Sequence, residues 1–218
     1  PGLTAFEDSP VTGISVPRGA NGLVEVTTPQ GTIRAGKVVF ATGGTVAPFN
    51  YLNGYLSAEQ PFATQASIDP AQAFRGNLFD GGTELSPEDD YNYFRMQQEA
   101  ATTAGGRPKI MFGAGSRFLE DVRPARAASA ISPNLELLFP GAHRLGSWSG
   151  TIFDTEDGLP IVAQHPEHPQ LFAVTGAGGI GWANSSTAAD ELTGRIAGKS
   201  GPFLFDPARL DQIQEEEE

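Results

Sequence analysis

With 218 residues and 39 % hydrophobic content, the chain has enough apolar material for one large domain or two small ones, which excludes disorder throughout. Its 26 acidic against 14 basic residues give a net charge of -12, which repels nucleic-acid phosphates and anionic membrane surfaces. The absence of cysteine excludes disulfides, thiolate metal sites and cysteine catalysis, and the interruption of every apolar run by Asp, Glu, Arg, Gly or Pro leads to the expectation of a soluble chain. The compartment is not fixed by composition; a cytoplasmic setting is the working expectation.

The opening reads as strands over Val11–Val16, Gly22–Thr28 and Thr32–Arg34, then the apolar run Lys37–Thr42, with turn signals at Pro17-Arg18-Gly19, Pro29-Gln30-Gly31 and Ala35-Gly36. This predicts a small β-meander that feeds a buried strand. Val38-Val39-Phe40-Ala41 has no polar alternation, as a strand covered on both faces requires, and Thr42-Gly43-Gly44 ends it where something approaches the backbone. From Ala47 to Asp80 the chain is aromatic and glycine-rich without helical period, with a strand expected over Phe62–Ile68. Tyr91–Met96 and Lys109–Gly113 are further strands, and the three suggest an antiparallel sheet. An Ala-rich stretch from Arg123 to Pro133, continued by Asn134–Phe139, predicts a helical segment. Leu171–Thr175 is an apolar strand, Gly176-Ala177-Gly178-Gly179-Ile180-Gly181 follows at once, and Ser185–Ala197 has helical spacing that stops at Gly198. The run Glu215–Glu218 reads as a solvated terminus.

A glycine-rich turn between strand and helix lets backbone N–H groups approach an anion or a flat ring. No Cβ intervenes, and the helix N-terminus carries partial positive charge. Gly176, Gly178 and Gly181 have G-x-G-x-x-G spacing, but no acidic residue follows at the ribose-binding distance. On spacing alone the segment reads equally well as a tight turn packing helix on sheet.

The residues upstream shift that balance. Asp154-Thr155-Glu156-Asp157-Gly158-Leu159-Pro160-Ile161-Val162 is followed by His165-Pro166-Glu167-His168-Pro169-Gln170 and the apolar strand. The whole string resembles the C-terminal signature of the D-amino-acid oxidase-like flavoprotein superfamily: a threonine-x-aspartate-glycine-leucine-proline stretch, a proline before an apolar strand, and a glycine cluster opening the last long helix. Thr155, Asp157, Gly158, Leu159 and Pro160 match the first part, and Gly176, Gly178, Gly179 and Gly181 the last. Val38–Gly44 resembles the strand with an Ala-Thr-Gly ending that runs near the flavin. Tyr91–Arg95 with Ile110–Phe118 resembles paired substrate-domain strands of the glycine, sarcosine and γ-glutamylputrescine oxidase branch. The likeness covers most of residues 9–207.

The resemblance implies a mixed α+β fold. Residues 1–46 would be a partial three-layer FAD-binding domain, 47–150 an antiparallel substrate-binding sheet domain, 151–207 a C-terminal FAD-binding segment and 208–218 an acidic tail. It implies FAD as cofactor and oxidation of the C–N bond of a small amine or amino acid by hydride transfer. It also implies that a missing N-terminal dinucleotide-binding portion is the partner this chain requires. The Val11 backbone would lie near the adenine, Ala41, Thr42 and Gly43 near the pyrophosphate and ribityl chain, and Gly178, Gly179, Ile180 and Gly181 at the ring, with Gly158 and Gly176 as further cofactor-binding positions. On this placement a branched residue at Gly178 would block close approach of the flavin. A tether through cysteine is excluded within this chain.

Catalytic candidates by the same resemblance are Tyr93, Arg95 and Trp182. Alternation puts Tyr91, Tyr93 and Arg95 on one strand face, although Tyr93 also reads as a half-buried core aromatic and Arg95 as a solvated edge charge. Trp148 could wall a pocket or serve as a buried structural residue. Trp182 stands where monomeric sarcosine oxidases place a lysine; it could stack near the ring and favour a dehydrogenase, or only fill space. His165 and His168 flank prolines at a spacing unsuited to a helical metal pair, so no metal site is expected and a surface loop is. Glu88-Asp89-Asp90 after Pro87 is expected to cap or solvate a turn. The competing function is a non-catalytic binding or interaction module on a flavoprotein-derived scaffold.

Overall fold

A computed structural model describes residues 2–19, 22–44, 47–81, 91–96, 106–114 and 132–211. In chain order they form β1 (Gly13–Ser15), β2 (Val24–Thr28), β3 (Gly31–Ala35), β4 (Val38–Gly43), β5 (Ser57–Glu59), β6 (Phe62–Ser67), β7 (Asn77–Gly81), β8 (Tyr91–Met96), β9 (Lys109–Ala114), α1 (Ser132–Leu138), β10 (His143–Ser149), β11 (Ile152–Asp154), β12 (Ile161–Gln164), β13 (Leu171–Thr175) and α2 (Gly181–Ile196). One compact unit comprises Pro1–Ser57 with Phe153–Glu218, and the other Ala58–Ile152; β5 and β11 contain the points of passage. The first boundary falls at Ser57 because the 3-10 helix Asn50–Tyr55 belongs to the first unit, with Phe49 and Leu52 in its core. Among the described residues no helix is long and apolar enough to cross a membrane.

The first unit has an antiparallel meander, β1-β2-β3, and a second sheet in the order β12-β13-β4. Period-two alternation sends Ile161, Ala163, Leu171 and Ala173 to one side, where they pack with Val24, Phe40, Phe49, Leu52 and Leu210. Val162 and Val174, opposite each other in the register, face the other way toward Ala188, Leu192 and Phe205. A helix on one face and the meander with its 3-10 turn on the other make three layers, and each fully buried side chain of this size contributes about 2 kcal/mol. β4 departs from the expectation of burial on both faces. Among the described residues it is an edge strand: Phe40 faces the core, whereas Val39 is 38 % exposed and Ala41, Thr42 and Gly43 are exposed. Missing alternation cannot distinguish a covered outer face from an open one. Helix α2 starts at Gly181, one turn before the expected Ser185, and stops as expected. Gly198 adopts φ +76°, and the N–H groups of Gly198 and Lys199 donate to the carbonyls of Arg195 and Gly194.

The second unit is a five-stranded sheet in the order β10-β6-β9-β8-β7, antiparallel throughout. One face carries Ala66, Phe94, Ile110 and Phe112 and packs on Leu135 and Phe139 of the α1 region. Phe94 stacks on Phe112 at 6.0 Å and meets Phe139 edge-on at 5.3 Å, an arrangement favoured by the ring quadrupoles. The expected strands at Phe62, Tyr91 and Lys109 are present and adjacent. Of the expected Arg123–Pro133 helical stretch, positions before 132 lie outside the described residues, as do Glu88, Asp89, Asp90 and Glu215–Glu218. β10 and β12 carried no strand expectation: glycine and serine dilute β10, and β12 sits inside the proline-flanked signature.

His165 corrects the surface-loop expectation, being 8 % exposed. Its Nδ1 accepts the N–H groups of Glu167 and His168, both at 3.1 Å, and its ring meets Phe49 and Tyr51 edge-on and lies 4.8 Å from the His168 ring. Burial, then the neighbouring His168, lowers its pKa, more than Glu167 and the Pro48 carbonyl raise it. The fold therefore holds neutral imidazole, while the unfolded chain titrates near pH ~6.5. The stabilisation is complete above that pH and falls as pH drops through it toward the lower folded value. The unfolding midpoint in urea should decline from pH 7.5 to pH 5, and H165N, which keeps an acceptor near Nδ1 but cannot titrate, should show a shallower decline. Equal slopes would refute the assignment.

Candidate functional site

β13 and β4 run parallel, with Leu171 opposite Val38 and Thr175 opposite Gly43, so both strands end side by side in glycine-containing turns. The carboxyl ends of parallel strands are where open α/β sheets receive ligands. The buried Thr175 hydroxyl donates to the Gly43 carbonyl at 2.6 Å and ties the two turns together. Beyond β13, Gly176–Ile180 leads into the 16-residue helix α2, whose first turn has no acidic residue and no side-chain cap. Its leading N–H groups keep their positive potential.

The glycines divide into two kinds. At Gly176 (φ +68°) a Cβ would stand 2.8 Å from Thr155 Cγ2 and 2.9 Å from Leu56 Cδ2, and at Gly178 (φ +53°) it would overlap Asp154 Oδ1 at 1.6 Å. At Gly44 it would strike the Phe153 ring at 2.6 Å. These three positions are glycine because β11 and its neighbours press on them. At Gly178 the left-handed backbone and the protein's own Asp154 both oppose a side chain, independently of any ligand. Gly43 (φ +86°) and Gly179 are different, since among the described residues a Cβ at either meets nothing within 4 Å. They offer open backbone at the two linked turns. The Asn184 side-chain nitrogen in the first turn of α2 is buried without a partner among the described residues. Open backbone, an uncapped helix start and an orphaned amide donor suit a flat, acceptor-rich, anionic group.

The turn before β12 is laced to this loop. The Gly178 N–H donates to the Phe153 carbonyl at 2.9 Å, and Asp154 bridges to Ala177 in antiparallel fashion. Gly158, at φ +68°, donates its N–H to the Thr155 carbonyl. Asp157 Oδ1 accepts the Leu159 N–H at 3.1 Å, and Arg209 spans both Asp157 oxygens at 2.6 and 3.1 Å. Burial acts to raise the Asp157 carboxyl, but the Arg209 fork, the Leu159 N–H and the Thr155 hydroxyl hold it below the usual carboxylate range. Arg209, Phe153 and Thr175 were missed by sequence reasoning. Arg209 lies 52 residues from its partner, and no local pattern marks it.

The remaining candidates distribute as follows. Val11 precedes β1 and is 56 % exposed; Ala41 and Thr42 are exposed on β4; Ile180 and Trp182, at 58 % and 96 % exposure, stand open at the start of α2. Tyr93, Arg95 and Trp148 belong to the second unit. Its register aligns Tyr93, Gly113, Ala63 and Trp148 in one row across β8, β9, β6 and β10, with Arg95, Met111, Gln65 and Gly146 in the next. Asn92 and Phe94 are buried on the opposite face, so these rows lie on the face away from the α1 core. Gly113 is glycine because the Tyr93 ring covers it, 2.2 Å from where a Cβ would be. Trp148 is 48 % exposed and is not a buried structural tryptophan. One row thus places an aromatic at each end of two small residues, and the next row carries the Arg95 guanidinium.

Comparison with known proteins bears on the fold and the family. Sarcosine oxidase subunit beta from an Arthrobacter species is 26 % identical over 215 residues, covering 98 % of this chain and 50 % of that protein. The structure is similar to glycine oxidase from Geobacillus kaustophilus (TM-score 0.63, 21 % identity, 94 % of this chain and 52 % of that one). It is also similar to L-proline dehydrogenase from P. horikoshii (TM-score 0.67, 16 % identity, 95 % and 55 %). The chain thus spans about half the length of the curated relative it matches. A family model described as DAO, FAD dependent oxidoreductase, matches residues 1–195, and the chain belongs to that family of FAD-dependent oxidoreductases.

Proposed function

We propose that this chain supplies the ring-side part of an FAD site and the substrate-facing sheet of an oxidoreductase acting on the C–N bond of a small amine or amino acid. The observation that carries the reading is the pair of linked glycine turns at the carboxyl ends of β4 and β13, with open backbone at Gly43 and Gly179. The chemistry FAD supplies when bound is acceptance of a hydride from the carbon that bears the nitrogen. The chain's own residues orient and bind. The first-turn N–H groups of α2 and the Asn184 amide hold acceptor atoms and negative charge; Gly43 and Gly179 admit a close backbone approach. Arg95 is suited to a substrate carboxylate by charge and bidentate geometry, with Tyr93 and Trp148 in the neighbouring row of the same sheet face. Sarcosine oxidase subunit beta and glycine oxidase, among the proteins it resembles, support small amino acids as the substrate class.

The open side of β4 supports a second part of the reading. An apolar edge strand with Val39 exposed is a template for pairing. Its occupant, on this proposal, is a parallel strand of an upstream dinucleotide-binding unit that holds the ADP half of FAD.

Produced alone, the 218-residue chain should retain no FAD after gel filtration, whereas the product of the full reading frame should carry one flavin per chain. A yellow isolated chain would sink the requirement for a partner, and an upstream frame without a strand–G-x-G-x-x-G–helix unit would leave the non-catalytic module as the better account. In the FAD-binding protein, Gly179→Val should cut flavin affinity about tenfold with an unfolding midpoint close to wild type, since the side chain enters open space. Gly178→Val should instead lower the apo-protein midpoint through its left-handed backbone and the Asp154 contact; equal behaviour of the two variants would contradict the division between packed and open glycines. Arg95→Gln should raise KM by roughly 10- to 100-fold for amino-acid substrates and leave it unchanged for amines without a carboxylate. A uniform KM rise across both groups would count against the carboxylate role.

A further inference from the structure

The last described segment makes a set of contacts that the FAD reading does not use. From Phe203 to Leu210 it touches the elements on both sides of the glycine loop. On the helix side, Arg195 of α2 donates to Asp206 at 2.8 Å and to Glu191 at 3.1 Å, Glu191 accepts the Phe205 N–H at 2.9 Å, and the Arg195 guanidinium lies 4.1 Å above the Phe203 ring. On the strand side, the Phe205 carbonyl accepts the Val162 N–H at 2.8 Å. On the turn side stands Arg209, with four donor contacts. Two go to Asp157, one to the Leu159 carbonyl at 2.7 Å and one to the Asp206 carbonyl at 3.1 Å. Its side chain is 18 % exposed and that of Asp157 19 %, so the pair is shielded enough to hold one geometry.

The route from Arg209 to the loop is short. Asp157 Oδ1 lies 3.0 Å from the Thr155 hydroxyl, which is also 2.7 Å from the Leu159 carbonyl that Arg209 engages. Thr155 is buried, and its methyl group is the contact that Gly176 accommodates. Phe153 and Asp154, immediately before it, hold Gly178 and Ala177. We propose that Arg209 is a positioning residue for the glycine loop: by fixing Asp157 and the Leu159 carbonyl, it sets Thr155 and thereby the conformation in which Gly176–Gly179 meets the cofactor. The inference rests on the FAD reading for its function, but its structural half stands apart from it. A lysine cannot reproduce the fork, since it replaces a planar multi-donor group with one ammonium.

The test uses the full-length protein with Arg209→Lys, measured without and with FAD. Without FAD, amide exchange at Gly158 and Gly178 should accelerate at least tenfold while Ala163 and Ala173 of the sheet keep wild-type rates. With FAD, the dissociation constant should rise about tenfold, the equivalent of one charge-assisted hydrogen bond, and the visible flavin bands should shift. Wild-type exchange at Gly158 and Gly178, or equal acceleration at every amide, would overturn the positioning role. Local acceleration in a protein that binds no FAD even as wild type would uphold the clasp and refute the flavin reading, so the two failures are distinguishable. Should R209K not fold, Asp157→Asn, which preserves the Arg209 contacts to the Leu159 and Asp206 carbonyls, carries the same measurements and the same refuting outcomes.

Discussion

The parallel pairing of β13 with β4, closed by the Thr175 hydroxyl on the Gly43 carbonyl, is the constraint on which the rest of the first unit depends. It joins positions 132 residues apart and encloses the whole of the second unit within the crossover. By polymer scaling, closing so long a loop costs only about 1.7 kcal/mol more than closing one of about 20 residues. Burial of Leu171 and Phe172 in β13 more than offsets that difference. Because the strands are parallel, their carboxyl ends coincide, and two turns from remote parts of the chain become one surface. An antiparallel partner in place of β4 would have put Gly43 at the far end of the sheet from Gly178.

The glycine cluster carries two demands that a sequence cannot separate. Gly176 and Gly178 have left-handed backbone and immediate neighbours in Thr155, Leu56 and Asp154, so a side chain there conflicts with the fold before any ligand is considered. Gly179 has neither constraint, and the absence of a Cβ matters there only to something outside the described protein atoms. A pattern such as G-x-G-G-x-G therefore mixes residues kept for packing with residues available for binding. Gly44 and Gly113 follow the packing rule as well, one against Phe153 and the other under Tyr93.

How much could be read from the sequence follows from the range of each interaction. Strand β13, the glycine loop and the stop at Gly198 were legible because their causes are local: an apolar run, the loss of Cβ, a left-handed C-terminal residue. The adjacency of β6, β8 and β9 followed from alternation and β-propensity. The exposure of Val39 was not legible, since whether an outer face is covered depends on what lies beside β4. His165 was read as a loop residue from its prolines. Its burial comes from Phe49 and Tyr51, more than a hundred residues earlier in the chain. Arg209 was invisible for the same reason: a single arginine near the end of the described chain gains its meaning only from Asp157.

The resemblance string begins at Asp154 for a physical reason that the packing makes plain. Phe153 is the first residue of the chain's return into the first unit, and three of its neighbours are already fixed. Its ring fills the space beside Gly44, its carbonyl receives the Gly178 N–H, and the next residue bridges to Ala177. Thr155 then packs on Gly176, and Asp157 turns the chain into β12 under the hold of Arg209. Phe153, Asp154, Thr155 and Asp157 are therefore committed to the loop or to the turn beside it, which limits what can stand there far more than strand propensity would. The tightness of that lacing leaves Gly43 and Gly179 as the places where the linked turns remain open. The candidate site is thus the part of the surface that internal packing has not already filled.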